Sequence, residues 1–317
     1  MMKKPLIILT GPTAVGKTEL SVQLAKMVGG SVISADSMQV YRHMDIGSAK
    51  IKKEEMQDIP HYLIDELEPS EEFHVVRFQE YARKYLAEIY AQGRIPMIVG
   101  GTGFYIQALL YDIDFTEEQE DTEYRKSLEQ LAKEQGGHVL HEMLREADPE
   151  AAEKIHENNI KRMIRALEFH HLCGQKISSH NETERQKESP YNFAYFVLND
   201  DRQKLYERIN ARVDLMLEEG LVDEVKVLQK LGCERHMVSM QGLGYKEILA
   251  YLEGTCSLED AVYRIKRDTR HFAKRQLTWF RREREVIWVD KQEFAYDNQR
   301  ILAYMQEMLL QKGILPS

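Results

Sequence analysis

The segment Leu6-Ile7-Ile8-Leu9-Thr10-Gly11-Pro12-Thr13-Ala14-Val15-Gly16-Lys17-Thr18 decides the fold. Its first four residues are a short unbroken apolar run, the pattern of a strand buried on both faces. Residues 11–18 match the spacing G-x-x-x-x-G-K-[ST] at every position. Apolar residues then recur at helical spacing (Leu20, Leu24, Met27, Val28), and Gly29-Gly30 supplies a stop. Strand, glycine-rich loop and helix in this order make a phosphate-binding loop. The glycines let backbone N–H groups close on a phosphate, and the helix N-terminus adds its dipole. Lys17 puts a positive charge on the phosphate oxygens, and the Thr18 hydroxyl is positioned for Mg²⁺. The candidate contacts are Gly11, Pro12, Thr13, Ala14, Val15, Gly16, Lys17 and Thr18. A nucleoside triphosphate is the default ligand, and any diphosphate ester offers the same handle.

Outward from this segment, residues 31–35, 95–99, 193–198 and 286–289 read as further strands, and 73–91 as a long helix. Strands alternating with helices predict an α/β fold: a parallel sheet covered on both faces, like the core of P-loop NTPases. From 115 to 189 the spacing is helical and no strand is convincing. That stretch opens acidic (116–121) and ends polar (178–189). It reads as a helical insertion domain, 115–189, within a core made of 1–114 and 190–317.

In an open parallel sheet, ligands bind beyond the carboxyl ends of the strands. The second strand ends in Asp36-Ser37-Met38-Gln39 and the third in Gly100-Gly101-Thr102-Gly103. Both ends should face the crevice of the phosphate loop. The Asp36 carboxylate is placed to hold Mg²⁺ through water, to take a proton from a nucleophile, or simply to cap the next helix. Thr102 is either a helix cap or, flanked by glycines, a hydroxyl in close reach of a ligand. No Asn-Lys-x-Asp occurs, which argues against a GTPase. Leu63-Ile64-Asp65 resembles a magnesium-binding strand end and keeps a small-molecule kinase open.

At 317 residues the chain has room for about two domains of roughly 150 residues. With 43% hydrophobic and 30% charged residues it is an ordinary globular chain, not a disordered or fibrous one. Cys173, Cys233 and Cys256 form no C-x-x-C pair, which disfavours a zinc site and fits a reducing compartment. No apolar run approaches the ~20 residues of a membrane helix, and the apolar stretch after Lys3-Lys4 is too short for a secretion signal. A cytoplasmic protein is expected. The net charge of -9 speaks weakly against a nucleic-acid partner. Its distribution speaks otherwise, because 264–284 holds nine Lys and Arg against Asp268 and Glu283, a local +7.

Eight stretches together resemble one family, the bacterial tRNA dimethylallyltransferases. They are GPTAVGKT (11–18), ISADSMQVYR (33–42), MDIGSAK (44–50), PHYLID (60–65), VGGTGFY (99–105), KRMIRALE (161–168), QGLGYKE (241–247) and FAKRQLTWFR (272–281). They keep the family's order over nearly the whole chain. Ser48 stands where Thr is usual and Tyr62 where His is common. The zinc finger of eukaryotic members has no counterpart here.

The resemblance implies transfer of a dimethylallyl group from dimethylallyl diphosphate to N6 of the adenosine beside the tRNA anticodon, position 37. The phosphate loop would hold the diphosphate, with Mg²⁺ as cofactor on Thr18 and with Arg212 reaching the diphosphate. A bland surface arginine is the alternative for Arg212. Asp36 would orient the amine and take its proton, with Thr102 near the reacting atoms. The target base must leave its stack, at a cost of a few kcal/mol that is lower in a single-stranded loop. Asp36, Ser37, Met38, Gln39 and Thr102 would meet the flipped base and its neighbours. Arg125, Lys161, Arg162, Met163, Ile164, Arg165, Gln241, Gly242, Leu243, Gly244, Tyr245 and Lys246 would line the anticodon stem-loop. The basic 264–284 stretch either contacts RNA phosphates or is a helix with Phe272, Trp279 and Phe280 in the core and its cations in solvent. The expected partners are tRNA and the prenyl diphosphate, and the expected state is a monomer. Prenylation of free AMP, a small-molecule kinase and a nucleotide-gated binding module are the other readings. The helical insertion and the basic stretch favour a macromolecular acceptor.

Overall fold

The computed structural model describes residues 3–115 and 122–316. Six strands form one parallel sheet: β1 (Lys4–Thr10), β2 (Gly30–Ser34), β3 (His61–Tyr62), β4 (Ile95–Gly100), β5 (Tyr191–Asn199) and β6 (Val286–Asp290). Their order is β3-β2-β4-β1-β5-β6. This is the expected α/β architecture. The sequence pattern anticipates every strand except β3, whose two residues are too few to show a period. β3 exists because His61 and Tyr62 pair with Val32 and Ile33.

Leu6, Ile7, Ile8 and Leu9 are fully buried, so β1 has apolar cover on both faces. Alternate side chains point to opposite faces. Ile7 and Leu9 share a core with Leu20 and Leu24, with Leu205 and Ile209, and with Ile301 and Met305. Those residues belong to the helices Lys17–Val28, Arg202–Glu218 and Asn298–Gln311. The helix Val75–Ala91 packs on β2 and β4 and buries Phe78, Ala82, Leu86 and Ile89. The register sets Thr10 beside Gly100 and Ser34 beside Val99, so three strands end level at one edge. No described helix is long and apolar enough to cross a membrane.

The chain forms two compact units: residues up to Leu109 with those from Pro190 on, and Leu110–Ser189. In the second unit the described residues form five helices, Thr122–Gln135, Gly137–Ala147, Pro149–Lys154, Ile160–Cys173 and Ile177–Gln186. Its own core includes Leu128, Leu140, Leu144, Met163, Ile164 and Leu167. The acidic run 116–121 lies outside the described residues.

Asp148 organises this unit. It caps the helix Pro149–Lys154 by accepting the Ala151 N–H at 3.1 Å. It also accepts the Ser178 N–H at 2.9 Å and the Ser178 hydroxyl at 2.7 Å. Burial alone would raise its pKa, but these Ser178 and Ala151 donors outweigh burial and hold the carboxyl below the usual 3.8. A carboxylate with a depressed folded pKa stabilises above its unfolded pKa and loses that contribution as pH falls through the folded value. Asp148→Ala is therefore expected to cost about 2–3 kcal/mol at pH 7, from the lost cap and the stranded Ser178 donors. Thermal melts of wild type and Asp148→Asn are expected to differ at pH 6 and to converge as pH falls below about 4. A difference that does not change with pH would contradict the charge-based account.

Candidate functional site

β1 leads into the phosphate loop, β2 into Asp36 and β4 into Thr102. The last two are sewn together by backbone: Ala35 N–H donates to Val99 O at 2.8 Å, and Thr102 N–H to Ala35 O at 3.1 Å. Gly100 permits this, since a Cβ there would lie 2.3 Å from Ala35 O. Thr10 Oγ1 donates to Gly100 O at 2.6 Å and ties in β1. Asp36, Thr102 and the loop are thus brought to one place by the sheet itself.

Gly11 has φ +144°, and a Cβ there would meet Leu198 O at 2.5 Å. Gly16, at φ +96°, starts the helix Lys17–Val28 in the left-handed region. Lys17 Nζ folds back to donate to Gly11 O at 3.0 Å and Pro12 O at 2.9 Å. Pro12 and Val15 are buried, and Val15 belongs to the core, so these two serve the loop through backbone. The Thr18 hydroxyl makes no hydrogen bond to a described residue.

A cavity of about 530 Å³ opens at these strand ends, lined by Thr13, Ala14, Asp36, Ser37, Met38, Thr102, Arg212 and Phe272 among others. Burial, then the neighbouring Arg212 charge, lower the Lys17 pKa to about 8, against a raising effect of Asp36. Burial likewise lowers the Arg212 pKa, and Asp36 again opposes it. The Arg212 guanidinium makes no hydrogen bond or ion pair with a described residue. Asp36 accepts the Met38 N–H at 2.9 Å through Oδ1 in a tight turn, with no helix following before Lys53, and Oδ2 has no hydrogen-bond partner among the described residues. The Thr102 backbone starts the helix Gly103–Leu110, and its hydroxyl has no described partner. One guanidinium, one carboxylate oxygen and one hydroxyl therefore face the same cavity without a partner among the described residues, and the Lys17 ammonium sits folded on the loop carbonyls beside them.

The remaining candidates divide. Gln241, Gly242, Leu243, Gly244 and Lys246 line the cavity. Tyr245 does not: it is fully buried, with its hydroxyl on Glu224 Oε1 at 2.8 Å. Gln39 is half-buried and occupied, donating to Ala49 O and accepting from Ser34 Oγ. In the second unit, Lys161, Arg162 and Arg165 are exposed on Ile160–Cys173, whereas Met163 and Ile164 face inward to the core. Side-chain contacts of Met163, Ile164 and Tyr245 with an RNA do not fit this burial. Arg125 lies 3.6 Å from Glu129 and 3.7 Å from Glu168.

The basic stretch is the larger part of one helix, Leu258–Phe280. Phe280 is core, Trp279 packs on Gly103, and Phe272 lines the cavity. Lys266 and Arg267 pair with Asp214 and Asp268, and Arg270 donates to Asn210. Arg275 faces the cavity. The Leu63-Ile64-Asp65 reading fails: β3 stops at Tyr62, and the Asp65 carboxylate is held by Lys50 Nζ at 2.5 Å.

Two architectural residues carry no signal in the sequence. Buried Gln276 accepts the Thr13 N–H at 2.9 Å and donates to Gly101 O at 2.9 Å, joining phosphate loop to β4 loop. Glu224 accepts the N–H groups of Asp45, Ile46 and Gly47 at 2.7–3.1 Å besides the Tyr245 hydroxyl. It fastens two loops that line the cavity. Gln276 sits inside a recognisable stretch but its partners are remote, and Glu224 looks like any acid in a first helical turn.

Residues 39–283 match the family described as IPP transferase. The chain is 62% identical to a tRNA dimethylallyltransferase of Lachnoclostridium phytofermentans, over 98% of this chain and 99% of that one. It is 51% identical to one of Acetivibrio thermocellus, over 98% of both. Among solved structures, the full-length tRNA isopentenylpyrophosphate transferase of Bacillus halodurans is 45% identical, with TM-score 0.74 and 98% coverage of both chains. A eukaryotic dimethylallyltransferase acting on tRNA gives TM-score 0.81 at 29% identity, over 97% of this chain and 80% of that one. With a family match over most of its length and relatives this similar from end to end, the chain belongs to the IPP transferase family.

Proposed function

We propose that this protein transfers a dimethylallyl group from dimethylallyl diphosphate to N6 of the adenosine at position 37, beside the tRNA anticodon. The observation that carries the reading is Arg212. A half-buried guanidinium without a protein partner, next to Lys17 and a phosphate loop, is a site prepared for a multiply charged anion. The carboxylate oxygen of Asp36 and the hydroxyl of Thr102 supply the acceptor side in the same cavity. The relatives named for prenyl transfer to tRNA support the donor and the acceptor together.

The reaction follows from these placements. Adenine N6 bonds to C1 of the dimethylallyl group as the C1–O bond to the diphosphate breaks. Lys17, Arg212 and the loop N–H groups stabilise the charge gathering on departing pyrophosphate. Asp36 accepts the proton from N6, and Thr102 hydrogen-bonds beside the reacting amine. Mg²⁺ suits this site because the Thr18 hydroxyl is a hard oxygen donor with no hydrogen bond to a described residue. When bound, it supplies further neutralisation of the leaving pyrophosphate. The adenine must be extruded to enter the cavity, and Ser37, Met38, Gln241, Gly242, Leu243, Gly244 and Lys246, which line it, are the proposed contacts to the base and its neighbours. In the second unit, Lys161, Arg162, Arg165 and Arg125 are the proposed contacts to RNA phosphates. A monomer is part of the proposal, and a tRNA acceptor suits the cytoplasm.

Asp36→Asn tests the mechanism. Asn keeps the shape but takes no proton, so single-turnover transfer is expected to fall roughly 10²- to 10⁴-fold with tRNA affinity nearly unchanged. Near-normal turnover would remove Asp36 from proton transfer. The pH dependence tests Lys17. A lysine with pKa about 8 in the free enzyme is charged below that value and neutral above it. The KM for dimethylallyl diphosphate is therefore expected to rise as pH passes 8, and Lys17→Arg, which stays charged, to flatten the rise. A KM independent of pH in wild type would contradict this. Replacing Lys161, Arg162 and Arg165 by Ala is expected to reduce the log–log salt slope of tRNA affinity by about 2–3 while sparing pyrophosphate binding. Identical slopes would show that this face meets no phosphate.

A further inference from the structure

A phosphate loop works only if its peptides turn their N–H groups toward the anion, which leaves the carbonyls pointing elsewhere. Arg208 Nε donates to Ala14 O at 2.9 Å. Its Nη2 donates to Asp200 at 2.5 Å, and that carboxylate is fully buried. Tyr296 holds the other Asp200 oxygen, its hydroxyl donating to Oδ1 at 3.0 Å. On the next peptide, Lys291 Nζ donates to Val15 O at 3.3 Å. Ala14 lines the cavity, but Arg208, Asp200, Tyr296 and Lys291 do not.

A trans peptide carries its N–H opposite its C=O. Fixing the Ala14 carbonyl on Arg208 therefore turns the Val15 N–H away from Arg208. Among the described residues that N–H meets only Pro12 O, at 3.4 Å, longer than an ordinary hydrogen bond. Fixing Val15 O on Lys291 does the same for the Gly16 N–H. Ala14 itself has φ +62°, a left-handed conformation that a non-glycine residue holds only when its surroundings impose it. The Arg208 fork is well suited to impose it, since one arm is anchored on a buried carboxylate while the other holds the loop.

We propose that Arg208 is a positioning residue for the diphosphate, setting the Ala14–Val15 peptide from behind the loop, with Asp200 as its anchor and Lys291 as its neighbour on the next peptide. The proposal rests on the diphosphate reading of the loop. It assigns Arg208 no contact with substrate, which separates it from Arg212 one helical turn away.

Arg208→Lys is the decisive variant. It keeps a positive charge and a partner for Asp200, but one ammonium cannot reproduce the fork. Pyrophosphate binding in the presence of Mg²⁺ is measured by calorimetry, beside tRNA affinity, melting temperature and the kinetics of transfer. The expected result is binding weakened about ten- to a hundredfold, the size of one charge-assisted hydrogen bond, with tRNA affinity and melting temperature held. KM for dimethylallyl diphosphate should rise by a similar factor and kcat by comparison change little. Should Arg208→Lys not fold, the double variant Arg208→Gln/Asp200→Asn leaves no stranded buried carboxylate and replaces it in the same test. Wild-type pyrophosphate affinity in the variant would overturn the proposal, and so would a loss shared equally by tRNA affinity and melting temperature. Lys17→Ala is the control: if it binds weakly while Arg208→Lys binds normally, only this proposal falls. If Lys17→Ala also binds normally, the diphosphate reading falls with it.

Discussion

A loop that gathers N–H groups around one point must find partners for the carbonyls it turns outward, and that constraint shapes the first unit. Gly11 and Pro12 carbonyls are taken by Lys17, and those of Ala14 and Val15 by Arg208 and Lys291. Gln276 takes the one outward N–H, of Thr13. These partners come from the helix Lys17–Val28, the helix Arg202–Glu218, the end of β6 and the helix Leu258–Phe280. The loop's geometry is therefore spread over most of this unit's chain, although the loop itself spans eight residues.

The second organising contact is the approach of β4 to the end of β2. Only a glycine at position 100 leaves room for the Ala35 carbonyl, and the backbone bond from Thr102 to that carbonyl then brings Thr102 and Asp36 together. Because Gln276 also holds Gly101, the phosphate loop and the loop that carries Thr102 share one buried side chain.

Local chemistry was legible in the sequence and long-range pairing was not. The phosphate loop could be read because strand, glycine spacing and helix are consecutive. Asp36 and Thr102 could be placed because each follows directly on a short apolar strand. Arg212, a diphosphate contact by resemblance or a surface arginine by its helix, lines the cavity and is half-buried there. Gln276 was invisible because its partner Thr13 is 263 residues away. Family resemblance marked whole stretches and not their faces, so Met163, Ile164 and Tyr245 were grouped with exposed neighbours although helix packing buries them. The basic stretch resolves the same way: one helix puts Phe280 inside and most cations outside, with several of those cations already paired.

The central claim is that a loop with the spacing of a nucleotide site here holds a prenyl donor. The most direct measurement uses dimethylallyl diphosphate labelled at C1, incubated with the protein and Mg²⁺ without ATP, against unmodified tRNA or AMP as acceptor. Label is expected in tRNA, with one pyrophosphate released per group transferred, and none in AMP. Label appearing on AMP alone, or transfer that requires ATP hydrolysis, would contradict it.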